Sequence, residues 1–426
     1  MHFYSQVIGS ERGKAGMEKI SRYSLVFITV IVLSIGLPKL FWIFFEKPVK
    51  KPFIQYSCVN HDFLIYRSNE KIWEDTKGNQ YSRDEYEQKL PLFFFKQLYI
   101  SGTLPDSINH VPIDLKELAR EKSFFHLRQG EIDAPVPDLF PLFESRSGRA
   151  MLEWPEDFFR ITWRIEFIDA ASNKILEEKS QMFSASLYHN GFVFPAKLIS
   201  GITSQKKSCD EGYFIVDSKN QLFHLKMVIG KPYIRKIEIP YGLIIRHISC
   251  VDFKNKAFYA YLLSDKNEIY ILSQNEYKLV KWPIEGYDSA TSDLKIYGDM
   301  LNYTIVIEGY NYLKVIALDK KYQFIDSYSE KWDVKEDLKY GKIFASIFPA
   351  QVSMTSENSK YVRFYFSISR GFNWFLLNLA LLAIHFALLY WRKKQLRNHF
   401  IDLGIIAICG IYGFLAIHFF RNKFYE

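Results

Sequence analysis

The chain has 426 residues, 48% of them hydrophobic and 17% aromatic, and a formal net charge of +8 at pH 7. That apolar content excludes a disordered chain and supplies a large core. The cations lie among Asp and Glu along the whole length, which supports no nucleic-acid surface and only a weak preference for anionic membrane lipids. Of the four cysteines, Cys409 falls in an apolar run. For Cys58, Cys209 and Cys250, a Cys209–Cys250 disulfide and three free thiols both stay open.

Residues 1–22 read as a cytoplasmic N-terminal segment, with 1–16 an unstructured extension ahead of Met17. The first apolar run, Ser24 to Phe45 within a span placed at 23–45, is long enough at about 1.5 Å per residue to cross a hydrocarbon core of roughly 30 Å. The length of Tyr23–Pro38 also suits a signal peptide. No small-x-small cleavage site follows, however, and Leu40–Phe45 prolongs the run past Lys39, so an uncleaved signal anchor is expected.

Residues 46–133 read as a small mixed α/β lobe. Ser82-Arg83-Asp84-Glu85 and Asp114-Leu115-Lys116-Glu117 are helix-start patterns, in which a side-chain oxygen accepts from the first free N–H groups. Pro91 and Gly102 bracket a further helical stretch. From 134 to 370, after the Pro-rich Ala134–Asp138, the pattern changes to alternation. Paired strands with an Asn in the turn recur at Asn173, Asn220, Asn267 and Asn311, spaced 47, 47 and 44 residues apart. A second strand beginning at Tyr233, Tyr277 and Tyr322 keeps nearly the same interval. Units of about 45 residues and four strands predict a mainly β, propeller-like domain. The alternative is a β-sandwich with evenly spaced strands. A last strand, Tyr361–Ile368, precedes the membrane.

Two apolar runs close the chain, giving spans at 371–391 and 400–420, joined by a basic loop at 392–399 and followed by a tail at 421–426. With the first span, this predicts three transmembrane α-helices. Four cations, Arg392, Lys393, Lys394 and Arg397, should hold the loop in the cytoplasm. The large domain is then extracytoplasmic and the tail ends outside. On two straight helices His385 would lie about 9 Å and His418 about 25 Å from the inner face, too far apart to share one centre. Asp402 reads as an anion at a helix N-terminus. An uncompensated polar group in hydrocarbon is costly, so Asn373, Asn378 and His385 are the expected partner-contact residues.

No GxxxxGK[ST], GxSxG, HExxH or CxxC pattern occurs, so an ATPase serving this protein would be another chain. Glu144, Glu153, Glu156 and Asp157 have no spacing that picks out an acid and base pair. No catalytic, cofactor-binding or metal-ligating residue is singled out, and no cofactor is expected.

The stretches Leu90-Pro91-Leu92-Phe93-Phe94, Gly102-Thr103-Leu104-Pro105-Asp106-Ser107, Glu144–Gly148 with Leu152-Glu153-Trp154-Pro155, Phe194-Pro195-Ala196-Lys197 and Phe348-Pro349-Ala350-Gln351 resemble those of a family of Gram-negative bacterial membrane proteins known only as a domain of unknown function. The resemblance runs from Met17 to the closing Asn422-Lys423-Phe424, with His110 standing where the family pattern expects glycine. It implies no catalytic residue. It does imply association with ABC transporters. The expected function is a non-enzymatic protein of the bacterial inner membrane with a large periplasmic β domain. Its expected role is as an accessory or assembly subunit of an ABC-type complex, with permease, ATPase and membrane lipids as partners. A ligand- or glycan-binding envelope module and an envelope hydrolase are the alternatives.

Overall fold

The computed structural model describes residues 2–45, 50–149, 151–207, 210–335, 337–354, 364–369 and 371–422, with side chains described from Met17 onward. The chain divides into two compact units, one of Met1–Val49 with Trp332–Glu426 and one of Lys50–Lys331. Helix α1 (His2–Phe45) opens the first unit. It begins upstream of Met17, where the sequence suggested no structure.

The second unit is built mostly of antiparallel sheets, none closed on itself. Strands β1 (Phe53–Ser57), β2 (Asp62–Arg67), β3 (Ile72–Asp75) and β4 (Gln80–Tyr81) form a four-stranded meander. Helices α2 (Arg83–Lys89) and α3 (Phe95–Ile100), the short pair β5 (Ser107–Ile108) and β6 (Val111–Pro112), and α4 (Leu115–Glu121) follow. Both expected helix starts are present. Ser82 Oγ accepts from Glu85 N while the Glu85 carboxylate accepts from Ser82 N at 2.8 Å, and Asp114 caps α4. Next come β7 (Ser123–Leu127), α5 (Gln129–Ile132), the pair β8 (Asp157–Ile161) and β9 (Ile165–Asp169), and α6 (Glu177–His189).

Three larger sheets complete the unit. One is β10 (Leu198–Gly201), β11 (Tyr213–Val216), β12 (Leu222–Val228) and β13 (Lys231–Ile237). The next is β14 (Ile245–Cys250), β15 (Phe258–Ser264), β16 (Ile269–Ser273) and β17 (Leu279–Lys281). The last is β18 (Asp293–Gly298), β19 (Asn302–Glu308), β20 (Tyr312–Asp319) and β21 (Phe324–Lys331), with β7 added beside β18 as a fifth strand.

These sheets are apolar on both faces, and the alternation of side chains divides each strand between two cores. Tyr213, Ile215, Phe223 and Leu225 pack with Phe159, Phe167 and Phe183 of the β8–β9 and α6 region. Their neighbours Phe214, Val216 and Leu222 pack instead on Ala260, Leu262, Tyr270 and Leu272 of the next sheet. That sheet's other face, with Tyr261, Leu263 and Ile271, meets Ile296, Ile305 and Ile316 of the last. Double-sided burial explains the nearly continuous apolar runs of β11, β15 and β19.

The turns recur, though not on asparagine alone. Asp217 Oδ1 accepts from the N–H groups of Lys219 and Gln221, and Asn220 takes the left-handed conformation between them. Ser264 Oγ does the same for Lys266 and Glu268 around Asn267, and Asp319 for Lys321 and Gln323 around Tyr322. Asp75 repeats it around Gly78. The recurring element is therefore an oxygen acceptor followed three residues later by a left-handed residue, a local side-chain turn. Asn173 also has positive φ. Asn311 lies in the β19–β20 connection, and in that sheet the acceptor turn falls one hairpin later, at Tyr322.

The first unit continues with α7 (Lys339–Ile347), the hairpin β22 (Ala350–Met354) and β23 (Phe364–Ile368), α8 (Asn373–Trp391), a 3-10 turn at Leu396–His399, α9 (Phe400–Cys409) and α10 (Ile411–Phe419). The strand expected at Tyr361–Ile368 is thus β23, paired to β22 within this unit. Tyr361–Arg363 lies outside the described residues, as do Lys423–Glu426 and Cys209. Cys250 is a free thiol.

Two described helices, α1 over Met17–Phe45 and α8, are long and apolar enough to cross a membrane. The third expected span is not a single helix. Gly410 adopts φ 56° and ψ −127° and separates α9 from α10. Each arm, of 10 or 9 residues, is only about 15 Å long, half a hydrocarbon core. The expectation of three spans is corrected to two candidate spans and a broken-helix hairpin.

Candidate functional site: a polar centre inside the helical unit

The hairpin brings its own ends together. Asn422 Nδ2 reaches the Asn398 carbonyl and the Asp402 carboxylate, each at 3.4 Å, so the chain returns to the end it left, which corrects the expectation that the tail ends on the side opposite the basic loop. Gly413 permits the close approach of the two arms, since a Cβ there would stand 2.7 Å from the Ile405 carbonyl oxygen. Helix α1 lies along the hairpin, with Val26 packed on Ile406, Ala416 and Ile417. Further along α1, Phe41 and Trp42 pack on Phe344 of α7.

The break leaves carbonyls at the end of α9 without helical partners. Asn378, 1% exposed on α8, fills that need: its Nδ2 donates to Ala407 O at 3.0 Å. Its Oδ1 has no hydrogen-bond partner among the described residues, and a Cβ at residue 410 would come within 2.2 Å of it. Glycine at 410 is therefore required twice, by its positive φ and by the amide packed against it. In an apolar bundle a broken helix persists only where neighbouring groups satisfy it again.

At the open end, Arg22 ties the two arms. Its Nη1 donates to Asp402 Oδ1 at 2.9 Å and its Nε to the Phe420 carbonyl at 2.8 Å. Asp402, 1% exposed, lies in the first turn of α9 as the sequence suggested, and also pairs with His399 Nδ1 at 3.1 Å. Tyr23 OH donates to the same carboxylate at 3.4 Å.

His385 and His418, placed far apart by the straight-helix reading, are neighbours, with ring centroids 5.3 Å apart. The break at Gly410 reverses the chain and carries His418 back to the level of His385. His418 Nδ1 donates to Phe414 O at 2.7 Å, whereas neither ring nitrogen of the buried His385 has a partner among the described residues. Both rings line a cavity of about 80 Å3 whose wall also includes Arg392, Lys394 and Arg421. Asn373 is the exposed first residue of α8, apart from this centre. Of the three residues expected to contact a partner, the structure brings Asn378 and His385 to the hairpin. Sequence reading missed Arg22, Asp402 as an ion-pair partner, and Gly410. Gly404, Gly410 and Gly413 in one apolar run were the available signal for a break.

The β unit holds a separate cavity of about 170 Å3, lined by Gln55, Leu92, Phe93, Phe124 and Tyr297 with Lys122 and Asp299. Gln55 Nε2 is buried there without a partner. Lys122 Nζ lies 4.6 Å from the Phe93 ring centroid and donates to that residue's carbonyl, and desolvation lowers its pKa. Cys58 lies in the same wall. Burial pushes its thiol up to about 12, which keeps it out of nucleophilic chemistry at neutral pH. Three of the four carboxylates considered for hydrolysis are otherwise engaged. Glu144 accepts from the N–H groups of Arg146, Ile229 and Gly230, Asp157 pairs with Lys179 at 2.6 Å, and Glu153 pairs with Arg149 at 3.2 Å.

Residues 53–318 match the family described as a domain of unknown function, DUF4857. The chain belongs to that family. The DUF4857 match falls wholly within the β unit and is narrower than the resemblance read from Met17 onward. No curated protein matches. Among solved structures, dihydro-heme d1 dehydrogenase NirN in complex with DHE aligns over 62% of this chain and 71% of its own, at 8% identity and a TM-score of 0.24. A likeness that low carries no argument about the DUF4857 chain.

Proposed function

We propose that this chain is a non-enzymatic protein of the bacterial inner membrane whose helical unit assembles with an ABC-type permease and ATPase. In this reading the N-terminus is cytoplasmic, and a propeller-like periplasmic domain serves as an accessory or assembly subunit. The observation that carries the membrane reading is the inverted polarity of the helical unit. Phe27, Phe44, Phe375, Trp391 and Ile408 are exposed while Arg22, Asn378, His385 and Asp402 are buried. Lipid is the solvent in which that arrangement is stable. Arg22, Arg392, Lys394 and Arg421 gather at one end of the unit, as the positive-inside bias requires of a cytoplasmic face.

The propeller-like reading of the β unit is supported by meanders buried on both faces and packed in sequence order. A two-sheet sandwich would leave one face of each sheet in water. The ABC-type partner follows from the family resemblance.

The test is affinity purification of the full chain from native membranes in mild detergent. An ABC-type ATPase and permease should elute with it, and with less yield from the double variant Asn378→Leu/His385→Leu and from Asn373→Leu. Protease resistance of each variant checks that it is folded. Absence of any such ATPase from the wild-type eluate would overturn the complex. A second reading, a ligand-binding envelope module, is favoured by the mainly apolar cavity around Gln55. That lining suits a small apolar ligand with one hydrogen-bond acceptor rather than a glycan, and a ligand-induced rise in melting temperature that Gln55→Leu abolishes would support it.

A further inference from the structure

The cavity between the end of α8, the basic loop and the end of α10 has a composition that the anchoring role does not use. Three cations, Arg392, Lys394 and Arg421, stand in its wall. The carboxylate there, Asp402, is already held by Arg22 at 2.9 Å and by His399 at 3.1 Å. The wall also carries His385, 6% exposed, with no hydrogen-bond partner on either ring nitrogen among the described residues. A buried imidazole without partners is an unusual and costly arrangement in a native structure. It is relieved by a ligand atom that accepts from one nitrogen. Trp391, Phe400 and Phe419, sequence neighbours of the wall residues, are exposed and apolar, so the mouth of the cavity opens beside surface suited to acyl chains and the headgroup boundary.

We infer that this cavity binds the phosphate headgroup of an anionic phospholipid from the cytoplasmic leaflet, with Arg392, Lys394 and Arg421 around the phosphate and His385 donating to it from the wall. Basic recesses between membrane helices on the cytoplasmic side are suited to such headgroups. Multiple charge-assisted hydrogen bonds to phosphate oxygens supply the selectivity over a zwitterionic lipid, whose ammonium group the same cations repel. The inference rests on the membrane reading proposed above and deepens it. The lipid acts as a fourth wall of the bundle at the point where the hairpin ends meet.

The experiment is native mass spectrometry of the full chain extracted from nanodiscs containing equal parts of phosphatidylglycerol and phosphatidylcholine. Wild type should retain phosphatidylglycerol selectively. The triple variant Arg392→Gln/Lys394→Gln/Arg421→Gln should lose on the order of a hundredfold of that selectivity, the scale set by removing three juxtamembrane cations. His385→Phe should also reduce it. Lys393→Gln, a cation of the same loop outside the cavity wall, should change it little, which separates the site from general surface attraction. Equal retention of the two lipids by wild type, or unchanged selectivity in the triple variant, overturns the lipid site. So does displacement of no lipid alongside saturable binding of inorganic phosphate, which would mark a soluble anion as the ligand. Membrane flotation of the same preparations separates the two readings. A chain that floats without lipid selectivity loses only the lipid site, whereas one that does not float loses both.

Discussion

The two units solve opposite problems. The β unit builds its cores from large aromatic side chains, with Phe159, Phe167, Phe223 and Trp282 at most 1% exposed, and polar groups are spent on turns. In the helical unit Ile43, Phe44, Trp391 and Ile408 are each at least 73% exposed, while Asp402 and Asn378 are 1% exposed. The lesson is that burial and polarity run in opposite directions in the two units, the pattern expected of the helical unit under the membrane reading proposed above. Apolar contact drives one unit, and satisfaction of a few polar groups specifies the other.

The sharpest way to break that comparison is the Arg22–Asp402 pair. Asp402→Leu alone leaves the Arg22 guanidinium buried without its counter-charge and should destabilise the helical unit by about 3–5 kcal/mol. Arg22→Met/Asp402→Leu should recover most of the loss. Proteolysis rates in detergent across wild type, the single variant and the double variant measure it, and a double variant as unstable as the single would show that the pair is not a unit. In the β unit the matching experiment is Leu225→Ala, which opens a cavity between the sheets and should cost about 3 kcal/mol, read as a shift of the urea midpoint.

Acid should separate the units further. His224, fully buried between Phe214 and Tyr277, accepts from the Tyr277 hydroxyl at 2.8 Å and gives its other nitrogen to the Glu211 carbonyl. Burial depresses its pKa to about 3. In the unfolded chain it takes a proton below about pH 6.5, so the unfolded state binds more protons between pH 6.5 and 3. The stability is complete above pH 6.5 and is lost as pH falls, by about 3 kcal/mol at pH 4. His224→Gln should flatten that slope in an acid titration followed by tyrosine and tryptophan fluorescence. An unchanged slope would place the acid sensitivity elsewhere.

Smaller effects test the turns and the amide. Asp217→Ala removes an acceptor of three backbone N–H groups, those of Lys219, Gln221 and Val193, and should cost about 1–2 kcal/mol, whereas the same change at exposed Asp138 should cost almost nothing. Asn378→Leu should cost only about 0.6 kcal/mol, the average for hydrogen bonds inside membranes. Gly410→Ala should cost more, because it adds strain at positive φ to a clash with the same amide. Unfolding of single molecules under force in bicelles can order the two.

Strand and helix content was legible in the sequence because alternation, apolar runs and the capping patterns at Ser82 and Asp114 are local signals. The Asn220 and Asn267 turns were legible for the same reason. The equivalent turn at Tyr322 was not, since the acceptor Asp319 defines it and the left-handed residue is atypical. Asn378 and His385 were found because polar residues stand out in an apolar run. Their partners were not found, because Ala407 O and His418 become neighbours only when the chain reverses at Gly410.

By itself, then, the sequence determined the main strands of the three larger sheets, the apolar helices α1 and α8 and where the polar exceptions lie, all properties carried within one or two turns of chain, whereas α6 and α7 lie inside the stretch 134–370 that it read as β. Tertiary structure alone decided that the last apolar run folds back, that Arg22 joins residues some four hundred positions away, and that the central strands of the larger β sheets are buried on both faces. Those outcomes depend on which groups are left unsatisfied at a break or an exposed face, and on what distant surface can satisfy them.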